Sequence, residues 1–574
     1  MSIFTISLKK LFYSIDGFKN IFMFSLVLVI PWSLFSEILK YNQLVFYDSY
    51  NLRVFFFNSA FAIVVIIYLR SIVLSTIGFY TFIFLPFVTY YFLRKGVLYG
   101  DLQDIDELMY ALGDLSSYVI YFSIFIFFLS AIFTNIRFFK VKIFLLQITF
   151  AIFIYFSYNH SQFFEKIIYP TKPNIEDFNV SAAFRNIGPV DAFLYHYLNT
   201  LSFEQKLMTN KEIMKYVDFR SYNLNKNITN RNIHIILMES FIDPTDFDNV
   251  KILKDIIPKQ WFEFKSVNKL YGISPVSGGG SAQAEFEILC GAPSILEYGT
   301  EFNRMGEGDT SCLPNYLKKY GYKTIASQPM YGSFFNIEKA YKSIGFEDSY
   351  LTPNFDMSDM KNGWLSDESF FRQHFEFIRE TLLNERPILN YVFAVGCHSV
   401  LGQASLYEPV VKYSKSKNLE ETLNCNTKSI QYLNRYISKI KDLDPNSLII
   451  ILSDHYPPGV SDYVSAGHNC TTNNKLPCSK VRKMRIIFIG DHIKMDIYNK
   501  NFAYYELPEI IINNITDNAL CKSVECSIDK NNINLNGKIV DRENLIKVSD
   551  QSLSTYHKSL YQSLLKESWL NIDE

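Results

Sequence analysis

The first 160 residues carry five blocks of almost unbroken apolar sequence: Ile21 to Leu39, Val54 to Leu69, Ser71 to Leu93, Leu115 to Phe133 and Phe139 to Tyr158. A bilayer-spanning helix needs about 20 apolar residues. In lipid every backbone polar group must be satisfied internally, so such blocks have little choice but to be helices. Any one of them could be the buried helix of a soluble domain. Five in succession predict an α-helical membrane domain over residues 1–160. The second block is short, and Arg70 between the second and third requires a very tight turn, so four spans is the competing count.

Basic residues set the orientation. With the N-terminus inside, the inner segments hold Lys9, Lys10, Lys19, Arg70, Arg137, Lys140 and Lys142, while the outer loops hold Lys40, Arg53, Arg94 and Lys95. The positive-inside bias then leaves everything after the fifth span outside. The first span is too long for a cleavable signal peptide and lacks a small-residue cleavage pattern. All eight cysteines lie between Cys290 and Cys526, which fits disulfide formation in an oxidising compartment. Cys290 with Cys312, Cys470 with Cys478 and Cys521 with Cys526 are candidate local loops; sequence alone leaves the pairing open. The alternative, a zinc site, lacks a paired CxxC arrangement. A net charge of -1 gives no reason to expect nucleic acid as a partner.

Residues 161–230 are polar and mixed, punctuated by Pro170, Pro173 and Pro189, and read as a juxtamembrane linker. From residue 231 to 574 apolar runs of strand length alternate with helical stretches. The runs are His234 to Met238, Lys323 to Ser327, Ile388 to Val395, Ser447 to Leu452 and Met484 to Ile489; Leu313 to Tyr320 and Ala282 to Leu289 read as helices. This pattern predicts an α/β domain with a largely parallel sheet. Ligands of such sheets bind beyond the carboxyl ends of the strands, and Glu239, His398, Asp454 and His455 all fall at that edge.

The chemistry gathers around Gly278-Gly279-Gly280-Ser281. Glycines let backbone N–H groups approach an anion, and a helix start favours phosphate. Ser281, at that start, is the candidate nucleophile. Glu239, Asp454 and His455, with the Ser281 oxygen, form a ligand set for one divalent cation, Mn²⁺ before Mg²⁺ or Zn²⁺. Such an ion would lower the pKa of the seryl hydroxyl and neutralise phosphate charge. His398 would act as general acid at the leaving oxygen or as a phosphate contact.

These motifs resemble the lipoteichoic acid synthase type of membrane phosphoglycerol transferases, within the alkaline phosphatase and sulfatase superfamily. The resemblance runs through Met238-Glu239-Ser240-Phe241, Gly280-Ser281 with Glu285-Phe286-Glu287, Gly332-Ser333-Phe334-Phe335-Asn336, Trp364-Leu365-Ser366-Asp367 and Ser453-Asp454-His455. Arg94-Lys95-Gly96 with Leu98-Tyr99 and Asp101-Leu102 adds to it. It implies a sulfatase-like fold for the outer domain and places the family's metal ligands on Glu239, Asp454 and His455. The nucleophile falls on Ser281, where the family usually has threonine, and the active-site histidine on His398. Phe334, Phe335 and Asn336 fall in the head-group segment, although the family commonly has tryptophan at Phe335, arginine at Ile337 and an acid at Met330. His468, beside Gly467 and Asn469, is a further candidate. Ser281-Ala282-Gln283-Ala284-Glu285 lacks the Pro and Arg of a sulfatase nucleophile motif.

The function so implied is transfer of phosphoglycerol from phosphatidylglycerol, a membrane phospholipid donor, through a covalent Ser281 intermediate, to an envelope glycan or glycolipid acceptor. Transfer of phosphoethanolamine is the alternative, and a non-catalytic membrane-anchored scaffold the second. The implied location is a bacterial inner (cytoplasmic) membrane, multi-pass, with the catalytic domain periplasmic or extracellular.

Overall fold

The computed structural model describes residues 230–552 with interruptions, the longest at 399–408, 458–481, 491–500 and 521–530, together with Tyr195 and Leu564. The five apolar blocks, the linker apart from Tyr195 and Asn230, His468 and the cysteines at 470, 478, 521 and 526 lie outside the described residues. Among the described residues no helix is long and apolar enough to cross a membrane. The chain divides into two compact units, 1–209 and 210–574, and the sheet and its helices belong to the second.

Eight strands form the central sheet: β1 (Ile233–Met238), β2 (Tyr271–Ile273), β3 (Lys323–Ser327), β4 (Asp348–Tyr350), β5 (Ile388–Ala394), β6 (Leu448–Ser453), β7 (Lys483–Ile489) and β8 (Phe502–Ala503). Their order is β8-β2-β7-β6-β1-β5-β3-β4. The block from β6 to β4 is parallel throughout. The largely parallel sheet expected from the apolar runs is therefore present, with one departure: β7 runs antiparallel to both its neighbours. Every residue of β1, β5 and β6 is buried, as expected for parallel strands covered on both faces.

Seven helices matter for the site: α1 (Lys259–Val267), α2 (Ser281–Cys290), α3 (Leu313–Lys318), α4 (Ile337–Ile344), α5 (Asp367–Leu382), α6 (Lys417–Leu443) and α7 (Leu507–Ile515). Ser366 caps α5 by accepting from the Ser369 N–H, and Ser416 caps α6 by accepting from the Leu419 N–H. Each cap satisfies a backbone donor that the first turn leaves open. α5 lays Phe370, Phe371, Phe375 and Ile378 on one sheet face, against Ile236 of β1, Val392 of β5 and Leu433, Tyr436 and Ile437 of α6. Burying each such side chain contributes about 1.5–3 kcal/mol.

α2 is unusual. All nine residues from Ala282 to Cys290 are buried, three of them polar: Gln283, Glu285 and Glu287. A helix buried all round must give its polar groups internal partners. Glu285 accepts from Tyr341 Oη of α4 at 2.6 Å and Tyr391 Oη of β5 at 2.9 Å, and Glu287 accepts from the Ser294 N–H at 2.8 Å. The far end of α2 is held by the Cys290–Cys312 disulfide, one of the pairs expected from spacing. A second bridge, Cys397–Cys425, was not among those local pairs.

Candidate metal and nucleophile site

Three strands deliver the site. β1 and β6 pair in register with Met238 opposite Ser453, so the next residues, Glu239 and Asp454, emerge side by side. The Glu239 N–H donates to Ala394 O of β5 at 2.9 Å, which locks the exit from β1. Ser240 takes a left-handed φ of 51°, a conformation costly for a residue with a side chain. It turns the Ser240 N–H onto Asp454 Oδ1 at 2.7 Å, and the His455 N–H reaches the same oxygen at 2.7 Å. The strain and the two bonds together fix one face of the Asp454 carboxylate.

Ser281 comes from the opposite side. Ser274 Oγ, after β2, donates to Asp454 O at 2.6 Å, and the Gly278 N–H donates to Tyr456 O at 2.8 Å. Between them and α2 the chain passes through Gly278, Gly279 and Gly280 at φ 77°, 148° and 86°. No other residue type follows that path cheaply. The run ends with Ser281 as the first residue of α2, its Oγ 3.3 Å from Glu239 Oε2 and 3.4 Å from His455 Nε2.

The resulting cluster is acceptor-rich. One oxygen or nitrogen each from Glu239, Asp454 and His455 lies within 4.8 Å of the others, and all three residues are buried. His455 Nδ1 lies 3.0 Å from Tyr456 O, an acceptor, so Nδ1 donates there and Nε2 faces the cluster. That nitrogen stands 3.2 Å from Asp454 Oδ2 and 3.8 Å from Glu239 Oε1. Asp454 Oδ2 is buried with no hydrogen-bond partner among the described residues. Burial first, and the Asp454 carboxylate second, push the Glu239 carboxyl well above its usual range, against a 2.8 Å bond from Ser240 Oγ. Lone pairs aimed at one another in a buried space repel unless a positive charge sits among them. A divalent cation answers the orphaned oxygen and the strained carboxylate together, and carboxylate, carboxylate, imidazole and hydroxyl suit Mn²⁺, Mg²⁺ or Zn²⁺.

His398, Phe334, Phe335 and Asn336, also singled out by the sequence, lie among the described residues. His398 lies beyond the end of β5, the neighbour of β1, half-buried, with its ring 4.5 Å from that of Trp364. Phe334 and Phe335 pack together at 4.2 Å, and Phe335 and Asn336 both take left-handed φ, 50° and 56°. The Asn336 amide donates to Phe302 O at 2.7 Å and Met305 O at 3.0 Å, so its nitrogen holds a turn together. Ile337 is an apolar core residue where arginine was expected by resemblance. Sequence reasoning missed Ser240, whose backbone sets Asp454. It also gave no role to Glu285, Trp364 or Asp367, although all three stand in the motifs it singled out. Burial pushes the Glu285 carboxyl up to about 8, one helical turn behind Ser281.

The Sulfatase family model matches residues 231–484. A Rhizobium meliloti protein named for cyclic beta-1,2-glucan modification is 25% identical over 249 residues, 41% of this chain and 37% of that protein. The lipoteichoic acid synthase of Staphylococcus saprophyticus is 23% identical over 300 residues, 48% of this chain and 45% of that one. The chain thus spans less than half the length of these curated relatives. Among solved structures, the lipoteichoic acid synthase LtaP from Listeria monocytogenes aligns with a TM-score of 0.45 at 16% identity, over 60% of this chain and 92% of that one. The matched span takes in Glu239, Ser281, Asp454 and His455, and over it the chain is similar to proteins of the alkaline phosphatase and sulfatase superfamily, lipoteichoic acid synthases among them.

Proposed function

We propose that the chain is a membrane-anchored phosphoglycerol transferase, with residues 1–160 in the membrane, 161–230 as linker and 231–574 as an extracytoplasmic catalytic domain. The observation that carries this reading is the Ser281 hydroxyl at the head of a buried helix, within 3.4 Å of Glu239 and His455 beside an orphaned Asp454 oxygen. A divalent ion held by Glu239, Asp454, His455 and Ser281 Oγ would supply a lowered hydroxyl pKa and neutralise phosphate charge.

Ser281 Oγ attacks the phosphorus of phosphatidylglycerol. The Oγ–P bond forms, the bond from phosphorus to the diacylglycerol oxygen breaks, and His398 gives its proton to that leaving oxygen. The seryl proton departs to solvent. An acceptor hydroxyl on an envelope glycan or glycolipid then attacks the phosphoserine, passing its proton to His398 while the Oγ–P bond breaks and Ser281 Oγ takes a proton back from solvent. A lipid donor and a surface-bound acceptor both account for a membrane anchor.

One observation favours a second reading, transfer of phosphoethanolamine. Ile337 and Met330 are buried apolar residues at positions where arginine and an acid would grip a phosphoglycerol head group.

The test is intact mass of the full chain incubated with Mn²⁺ and phosphatidylglycerol, beside Ser281→Ala. A phosphoglycerol-sized adduct absent from the variant supports the nucleophile, the reaction and the donor together. An adduct formed only with phosphatidylethanolamine moves the assignment to the second reading. No bound metal, no adduct and no lipid cleavage would leave the scaffold reading.

A further inference from the structure

The turn that carries His398 is held far more firmly than a loop after a buried strand requires. It already closes on itself, the His398 N–H donating to Val395 O at 3.0 Å. Three further elements converge on it. A side chain at Gly396 would place its Cβ 2.5 Å from Asp367 Oδ1, because that oxygen accepts the Gly396 N–H at 2.9 Å. The other Asp367 oxygen accepts from the Ser429 hydroxyl. Ser429 lies one turn along α6 from Cys425, and Cys425 is bonded to Cys397, the residue before His398. On the remaining side the Trp364 ring tilts at 51° against the imidazole. Asp367 is 3% exposed, and a buried carboxyl is retained at such a cost only where its bonds fix something.

We propose that Asp367 and the Cys397–Cys425 disulfide are positioning groups for His398, holding its imidazole at the leaving oxygen of the phosphodiester. The inference rests on the reading of His398 as the general acid. It gives the disulfide a role beyond stability: reduction in the wrong compartment would loosen the acid while leaving the nucleophile and its ligands in place.

Leaving-group dependence separates positioning from general damage. A diacylglycerol oxygen needs a proton to depart, whereas p-nitrophenolate does not. The full chain with Mn²⁺ is assayed on phosphatidylglycerol vesicles and on the p-nitrophenyl ester of glycerol phosphate. His398→Ala sets the reference, a loss on the lipid of about 10²–10⁴-fold with a much smaller loss on the activated ester. Asp367→Ala and the double variant Cys397→Ser/Cys425→Ser are expected to lose about 10- to 100-fold on the lipid, the scale set by a misplacement of about 1 Å, and at least tenfold less on the ester. Asp367→Asn keeps an acceptor for the Gly396 N–H and should restore most of the lipid rate.

If His398→Ala is leaving-group selective and both positioning variants cleave lipid within threefold of the native rate, the inference is overturned and the general-acid reading stands. Equal losses on both substrates in both variants overturn it as well, since they mark a purely structural role. If His398→Ala itself is unselective, the general-acid reading and the inference fall together.

Discussion

Two buried histidines make the pH dependence of stability calculable. His234 of β1 and His374 of α5 are fully buried and joined through Asn390 of β5. Asn390 Nδ2 lies 3.1 Å from His234 Nδ1, and Asn390 Oδ1 lies 3.1 Å from His374 Nε2. The amide therefore donates to one ring and accepts from the other, an arrangement that uses neutral imidazoles. Burial pushes each pKa from 6.5 down to about 3, with the facing His374 adding to the effect on His234. Because the folded pKa is depressed, the unfolded chain binds more protons below pH 6.5. The stabilisation is complete above that value and is lost as pH falls toward 3. Linkage gives about 2 kcal/mol per histidine between pH 7.5 and 5, or about 4 kcal/mol for the pair. Glu285 acts with the opposite sign: its carboxyl is pushed up to about 8, so its contribution is lost as pH rises from 4.5 and is recovered on acidification. The native curve is thus a sum, and the informative quantity is a difference between proteins. Urea unfolding of the purified chain at pH 7.5 and 5, followed through the fluorescence of buried Trp261, should show this. His374→Gln should flatten the dependence by about 2 kcal/mol, and His234→Gln/His374→Gln by about 4 kcal/mol, whatever the variants cost at pH 7.5. A double variant whose dependence matches the native one within about 0.5 kcal/mol would refute the argument.

Three further outcomes are expected. Asp454→Asn should abolish tight Mn²⁺ binding by equilibrium dialysis, because Oδ2 is the one carboxylate oxygen of Asp454 without a partner. Gly279→Ala should lower stability by about 1–3 kcal/mol through backbone strain, since φ is +148° and no atom of the described residues beyond its chain neighbours lies within 4 Å of the new Cβ; thermal melting measures it. Phe370→Ala should cost about 3–5 kcal/mol by opening the α5 core layer, read as a fall in urea midpoint at unchanged slope.

The sheet and the site edge were legible because β1, β5 and β6 are unbroken apolar runs, and a parallel strand buried on both faces has no other way to read. The residue after such a run stands at the ligand-binding edge, which is how Glu239 and Asp454 could be picked out. Ser281 was legible for a local reason as well: three glycines before a helix start. The antiparallel course of β7 was hidden, because an apolar run carries no direction. Pairing of Cys397 with Cys425 was hidden too. Their 28-residue separation spans the turn after β5 and the start of α6, a helix rich in asparagine. Asn424, for example, is buried there with its side chain accepting the Val410 and Val411 N–H groups and donating to Val411 O and Glu420 O. The tyrosines on Glu285, the Asn390 bridge and the Asp367 bonds are likewise tertiary facts. A polar residue at a core position announces a partner without saying which.

The loop that presents Ser281 has a consequence in time. Its glycines are tethered to Tyr456, and its hydroxyl faces His455, residues that come more than 170 positions later in the chain. As synthesis proceeds from the N-terminus, the serine emerges long before the strand that completes its surroundings. A half-made chain therefore carries an ordinary seryl hydroxyl. The surroundings that the proposed nucleophile needs are complete only when β6 pairs with β1 and brings Asp454 and His455 with it.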